Sequence, residues 1–324
     1  MSTLSAGNYG AKAAAAAQRG VPRSVAARKW TERCIRGSLF LTATLSVVTT
    51  FTIIVILLKQ TVSFFDTEEA TVLDFLLGTE WSPLLGAEKH FGIWPLVCGT
   101  FLVTVIAAAF ALPVGLVTAV YLSEYAKPRV RAILKPVLEV LAGVPTVVYG
   151  FFALSVITPG LQLLNNPYFE FGGYNAMSAG LAVGIMILPI VCSLSEDALR
   201  AVPRSLRDGA LALGATRFDV SVRVVVPAAL SGIVAAFLLA ITRAIGETMI
   251  VALAAGGLAR ITFKPWDETQ TMTAYMVQIF LGDAPANGVE YKSSYAVAFV
   301  LFVITLGMTL LGNLILRKFR EEYE

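Results

Sequence analysis

The chain has 324 residues, of which 56% are hydrophobic and 15% charged, with a formal net charge of +3 and a mean hydropathy of +0.74. Soluble domains carry about 25% charged residues, so these values exclude a water-soluble domain and point to a protein of the lipid bilayer, with no sign of nucleic-acid binding.

Residues 1–37 form a basic N-terminal segment whose stretch AKAAAAAQRG is low in complexity and expected to be disordered in part. Six apolar runs follow, at 38–58, 93–122, 137–157, 176–194, 228–256 and 295–316. Each is long enough to cross a hydrocarbon core of about 30 Å at about 1.5 Å per residue. The first run exceeds a signal-peptide core, and KQTVSFFDTEEA after it offers no small-x-small cleavage site, so it is expected to be an uncleaved anchor. The loop 59–92 is net acidic in DTEEATVLDFLLGTEWSPLLGAEKHFG, which argues against an anion funnel, and its lone histidine, His90, has no partner cluster. Pro95 and Pro113, with Gly115, suggest that the second span is broken or kinked. Glu139, near the start of the third span, suits a helix N-terminus. The segment 261–288 carries Met272, Tyr275, Met276, Ile279 and Phe280, a pattern expected of an interfacial helix.

Lysine and arginine set the orientation. Of the 25, nineteen fall in the N-terminal segment, the connections after the second and fourth spans, and the tail 317–324. Lys59, Lys89, Arg260, Lys264 and Lys292 lie on the opposite side. The excess predicts a multi-pass membrane protein with both termini cytoplasmic. Cys34, Cys98 and Cys192 form neither a metal pattern nor a disulfide framework. No GxxxxGK[ST] loop occurs, so ATP binding through that motif is not expected of this chain. The spans hold no HExxH, no paired aspartates and no serine–histidine partner, which argues against an intramembrane enzyme.

The fifth span, AAFLLAITRAIGETMIVALAAG at 235–256, contains Arg243 and Glu247. Each charge costs roughly 2.5–3.5 kcal/mol at the centre of a bilayer. On a continuous helix the two lie one turn apart, sharing a face with Ala236, Ala240, Gly246 and Ala254. Such a face turns inward, toward other spans or a water-filled path. Two readings stay open: an ion pair that locks helices together, or an anion relay that uses the arginine's planar fork of donors. Thr248 offers a further hydroxyl. A secondary transporter or channel acting alone would use the pair as a gate or proton relay.

The connection 195–227 reads SEDALRAVPRSLRDGALALGATRFDVSVRVVVP. Ser195 is expected to cap a short helix with Glu196 and Asp197 in its first turn. Pro203 interrupts it, and a second helix starts near 203–205 and ends at Gly214, a residue suited to a left-handed cap. Leu206, Ala210, Leu211 and Leu213 want a cover, either the bilayer and neighbouring helix ends or the groove of a partner protein.

This stretch resembles the EAA loop of permease subunits in ATP-binding-cassette importers, E-A-A-x3-G-x9-I-x-L-P. It reads Asp208-Gly209-Ala210, Gly214 and Val224-x-Val226-Pro227, with every spacing kept. VLEVLAGVPTVVYGFFAL, GIMILPIVCSLSEDALRAVPRSLRDGALALGATR and RAIGETMIVALAAG extend the resemblance to phosphate-importer permeases of the PstC type over about 94–316. The PstA-type companion permease ranks second. Sulfate and molybdate permeases share R-A-x-G-E but differ at Thr248-Met249.

The resemblance implies an all-α polytopic membrane protein with six transmembrane helices and a type I (MetI-like) importer permease core at 93–316. It implies that Arg207, Asp208, Gly209, Ala210, Leu213, Gly214 and Pro227 belong to the ATPase-coupling loop, and that Arg243, Glu247 and Thr248 line the substrate path. The implied partners are a PstA-type permease, a PstB-type ATPase dimer that uses the ATP, and a PstS-type phosphate-binding protein. No cofactor is expected on this chain.

Overall fold

The computed structural model describes residues 25–67, 69–84, 89–285 and 288–319. The alanine-rich stretch, with Lys12, Arg19 and Arg23, and residues 320–324 of the tail lie outside the described residues. Two compact units divide the chain, residues 1–56 and 57–324. Helix α1 (Val25–Phe65) begins in the first and ends in the second. It outruns the predicted 38–58 at both ends, and Leu41, Val47 and Phe51 stand exposed, as a surface suited to hydrocarbon requires.

The loop predicted at 59–92 is a folded cap in the second unit. Helix α2 (Val72–Leu77) is followed by the short antiparallel pair β1 (Trp81–Ser82) and β2 (His90–Phe91), with Trp81 opposite Phe91. Phe64, Phe75, Trp81 and Phe91 meet edge to face at centroid distances between 5.2 and 6.3 Å, the arrangement that ring quadrupoles favour. Lys89 pairs with Glu69 at 3.0 Å and with Glu290 at 2.8 Å.

Helix α3 (Trp94–Val120) takes Pro95 in its first turn and runs on through Pro113 into a π-helical turn at Tyr121–Tyr125. The expected break in the second span is absent, since one lost hydrogen bond is tolerated inside a packed span. The third span, by contrast, is not one helix. Helix α4 (Pro128–Ala142) gives way to α5 (Thr146–Phe152), a π-helical turn at Ala153–Ile157 and α6 (Thr158–Gln162), with a bend of 91°. Pro145 is the cause: it cannot donate, and it drives Val144 away from helical geometry. Glu139 therefore sits near the C-terminal end of α4, not at a helix start.

Helix α7 (Ala176–Ala201) is capped by Asn175, whose side-chain oxygen accepts from the Ser178 N–H at 2.7 Å. The carbonyls of Asp267 and Pro265 accept from Ala176 and Met177, so its first N–H groups are satisfied within the fold. It continues past the predicted end at 194. Ser195, Glu196 and Asp197 consequently belong to its C-terminal turns rather than to the start of a new helix. Helices α3 and α7 form the centre of the unit, with Val103, Ala107 and Ala111 packed with Ala179, Val183 and Ile187. Small residues let the two backbones approach closely: a methyl group on Gly180 would lie 2.6 Å from Ile106.

The remaining elements are α8 (Arg204–Ala212), α9 (Arg217–Val220), a π-helical turn at Ser221–Val225, α10 (Val226–Ala228), α11 (Leu230–Ile245), α12 (Met249–Ala254), α13 (Met272–Gln278), a π-helical turn at Ile279–Asp283 and α14 (Val289–Phe319). Helix α13 is not interfacial as expected. Met272, Tyr275 and Ile279 are buried, with the Tyr275 hydroxyl 2.7 Å from Ser293 Oγ and its ring 4.9 Å from Trp81. The aromatic cap supplies the cover that the sequence pattern assigned to lipid. Among the described residues, four helices are long and apolar enough to cross a membrane, and up to six spans result when each bent pair counts as one.

Candidate translocation path and coupling loop

Helix α11 buries Ile233, Ala236, Ala240 and Ala244 and stops at Gly246. The expected continuous helix through 256 is broken there, because Gly246 and Glu247 leave helical geometry before α12 begins at Met249. Arg243 and Glu247 are thus not neighbours on one helix face. Glu247 is 8% exposed; its Oε1 accepts from the Ile250 N–H at 3.4 Å, at the start of α12, and its carbonyl accepts from Thr273 Oγ1 at 2.6 Å. A carboxylate suits a helix N-terminus. Arg243 is exposed on this chain, its Nε reaching Met186 Sδ at 3.3 Å, and it has no ion pair among the described residues. Thr248 donates to the Gly246 carbonyl at 3.2 Å. The break leaves Glu247 anchored at the start of α12 and the Arg243 guanidinium without a carboxylate partner among the described residues.

The 195–227 loop folds as the sequence suggests from Pro203 onward. Pro203 precedes α8, and Gly214 ends it with φ +88°. The Gly214 N–H donates to Leu211 and the Ala215 N–H to Ala210, the paired bonds of a Schellman motif. Thr216 then caps α9 by accepting from Asp219. Helix α8 buries no residue; Asp208 is exposed and Leu213 is 90% exposed. Pro227 lies in α10, directly after the π-helical turn at Ser221–Val225. A side chain added at Gly209 meets nothing within 4 Å. Gly209→Ala is therefore expected to stabilise α8 by about 1 kcal/mol, read as about fivefold slower amide exchange across the helix.

Arg207 behaves differently from its neighbours. It is only 17% exposed and pairs with Glu124, at the end of α3. A second cluster joins α4 to α7, where Glu196, 1% exposed, meets Arg131 at 2.7 Å and Lys135 at 3.1 Å. A cavity of about 770 Å³ lies between these knots, lined by Arg131, Lys135, Glu139, Arg204, Arg207 and Asp208. The sequence reading missed Glu124, Arg131, Lys135 and Glu196 as site residues. The only local sign was i,i+4 spacing, as in Arg131 and Lys135 or Glu196 and Arg200.

Residues 111–321 match the family described as binding-protein-dependent transport system inner membrane component. The chain belongs to this family. The permease is 32% identical over 239 residues to the probable ABC transporter permease protein YqgH of Bacillus subtilis, covering 74% of this chain and 76% of that one. It is 30% identical over 268 residues to the phosphate transport system permease protein PstC of Xylella fastidiosa, covering 77% and 81%. Its fold is similar to that of a bacterial alginate ABC transporter crystallised with a pentasaccharide-bound periplasmic protein. That likeness has a TM-score of 0.61 and 14% identity, covering 90% of this chain and 98% of the other.

Proposed function

We propose that this permease forms, with a homologous PstA-type permease, the path by which inorganic phosphate enters the cell. ATP is hydrolysed on a separate PstB-type pair of ATPase subunits that engage the 195–227 loop, and a PstS-type binding protein delivers the anion. The observation that carries this reading is the likeness to a phosphate permease across most of both chains. The excess of lysine and arginine in the N-terminal segment and the 195–227 loop supports a cytoplasmic location for both.

Arg243 supplies the chemistry. A guanidinium with no carboxylate partner presents donors that fit a tetrahedral oxyanion in pairs. Glu247 holds the α12 terminus while the anion is bound and turns to the guanidinium as the anion leaves, so that phosphate is not trapped. Thr248 stands beside this path as a further hydroxyl. Reconstitution with the companion permease, the ATPases and the binding protein tests the reading. ATP-dependent uptake of labelled phosphate, competed by phosphate but not by equimolar sulfate, is expected. Preferred sulfate uptake would move the substrate assignment to that oxyanion, and ATP-independent uptake would favour a stand-alone transporter.

A further inference from the structure

The coupling helix α8 has few holds on the rest of the chain. It buries none of its residues, and Leu211 and Leu213 stand exposed. One side chain runs against this trend. The Arg207 guanidinium turns back into the chain, donating from Nη1 to the Val202 carbonyl at 2.6 Å and from Nη2 to the Leu199 carbonyl at 2.7 Å. The same group donates from Nε to Glu124 Oε2 at 3.2 Å and from Nη2 to Glu124 Oε1 at 3.0 Å.

The three acceptors have a common position in the fold. Leu199 and Val202 lie at the C-terminal end of α7, where the last carbonyls run short of intrahelical donors and a cation is favoured; the Leu199 carbonyl otherwise accepts only the long 3.4 Å bond from the Val202 N–H. Glu124 lies in the π-helical turn that ends α3, and its side chain is 11% exposed. A single planar fork therefore ties the coupling helix to the ends of the two helices that form the centre of the molecule. Arginine can do this because its donors are fixed in one plane, whereas a lysine offers a point charge.

We propose that Arg207 is a positioning residue, a bolt that makes α8 move as one body with the ends of α3 and α7, and not a contact to the ATPase. Force applied to α8 then reaches both helices through the guanidinium, while the exposed Asp208, Leu211 and Leu213 are left to meet the partner. This rests on the loop being the ATPase-coupling element, as proposed above. Glu124 belongs to the same device although it is 83 residues away in sequence and outside the EAA-like pattern.

The test uses the assembled complex and variants Arg207→Met, Arg207→Lys and Glu124→Ala. Phosphate taken up per ATP hydrolysed is expected to fall about tenfold in Arg207→Met and in Glu124→Ala, with both variants retaining their ATPase subunits on purification. Arg207→Lys should recover part of the coupling, and the Arg207→Met/Glu124→Ala double variant should be no worse than either single change, as for two parts of one unit. A second readout does not depend on the substrate. Spin labels at Ser205→Cys on α8 and Tyr121→Cys at the end of α3, in a chain with Cys34, Cys98 and Cys192 replaced, report the spacing of the two elements. ATP should leave that spacing unchanged with Arg207 present and shift or broaden it in Arg207→Met and Glu124→Ala.

Normal coupling in Glu124→Ala together with loss of the ATPase in Arg207→Met would overturn the proposal and make Arg207 a direct contact. Should Arg207→Met fail to assemble, Glu124→Ala alone decides between the two. A wild-type complex that moves no phosphate would sink the substrate reading, while the spin-label distances still judge the bolt.

Discussion

Arg243→Ala is expected to lower ATP-dependent phosphate uptake about a hundredfold in a complex that still assembles. Two charge-assisted hydrogen bonds are each worth about 1.5–3 kcal/mol, and tenfold corresponds to about 1.4 kcal/mol. The chain itself should tolerate the change. Arg243 is exposed, makes no ion pair among the described residues, and donates from Nε to the Met186 sulfur at 3.3 Å. A structural lock would behave in the opposite way, since removing one member of a buried pair strands the other charge. Arg243→Lys separates charge from shape. It keeps the positive field but loses the planar fork, so uptake should fall by about tenfold. Initial rates in proteoliposomes, normalised to co-purified ATPase, decide the matter. Near wild-type uptake by Arg243→Ala would remove Arg243 from the path.

Much of this fold was legible because membrane spans and helix ends leave local marks. Apolar length gave the six spans, and Pro203 with Gly214 bounded α8 to within a residue or two. What escaped depended either on local breaks that hydropathy averages over or on partners distant in sequence. The 91° bend was marked by Gly143 and Pro145, but hydropathy ran straight across them. The break at Gly246 was hidden for the same reason: a window of apolar residues does not distinguish one helix from two short ones. Helical spacing then placed Arg243 and Glu247 on one face, whereas the broken backbone gives Glu247 the end of α12 instead. Helix α13 reads as amphipathic, yet Trp81 and Ser293 provide its cover. Arg207 is the sharpest case. Its place in the motif suggested a partner outside the chain, and only the fold brings Glu124 to it.

Gly180→Val is expected to damage the protein more than any change on its exposed faces. The first added carbon would already meet Ile106 Cβ and Cγ2 at 2.6 Å, with the Val103 carbonyl at 3.2 Å, and valine adds two more methyl groups beyond it. Neither neighbour yields cheaply: one is a β-branched side chain with a stiff first torsion, and the other is backbone. Helices α3 and α7 must therefore separate, and overpacking of this kind costs about 1–3 kcal/mol or more. The loss falls on the cluster that also holds Tyr149, Ala240 and Ile250, so the bent third span and the broken fifth would loosen with it. Thermal midpoints of the purified complex, followed by size-exclusion chromatography, should fall by several degrees. Gly160→Ala provides the control, because nothing lies within 4 Å of an added carbon there. Ile106→Ala should restore a small part of the stability when combined with Gly180→Val, since it removes the Cγ2 contact while the Cβ contact at 2.6 Å stays. A Gly180→Val complex as stable as wild type would show that the approach of α3 to α7 does not hold the core together.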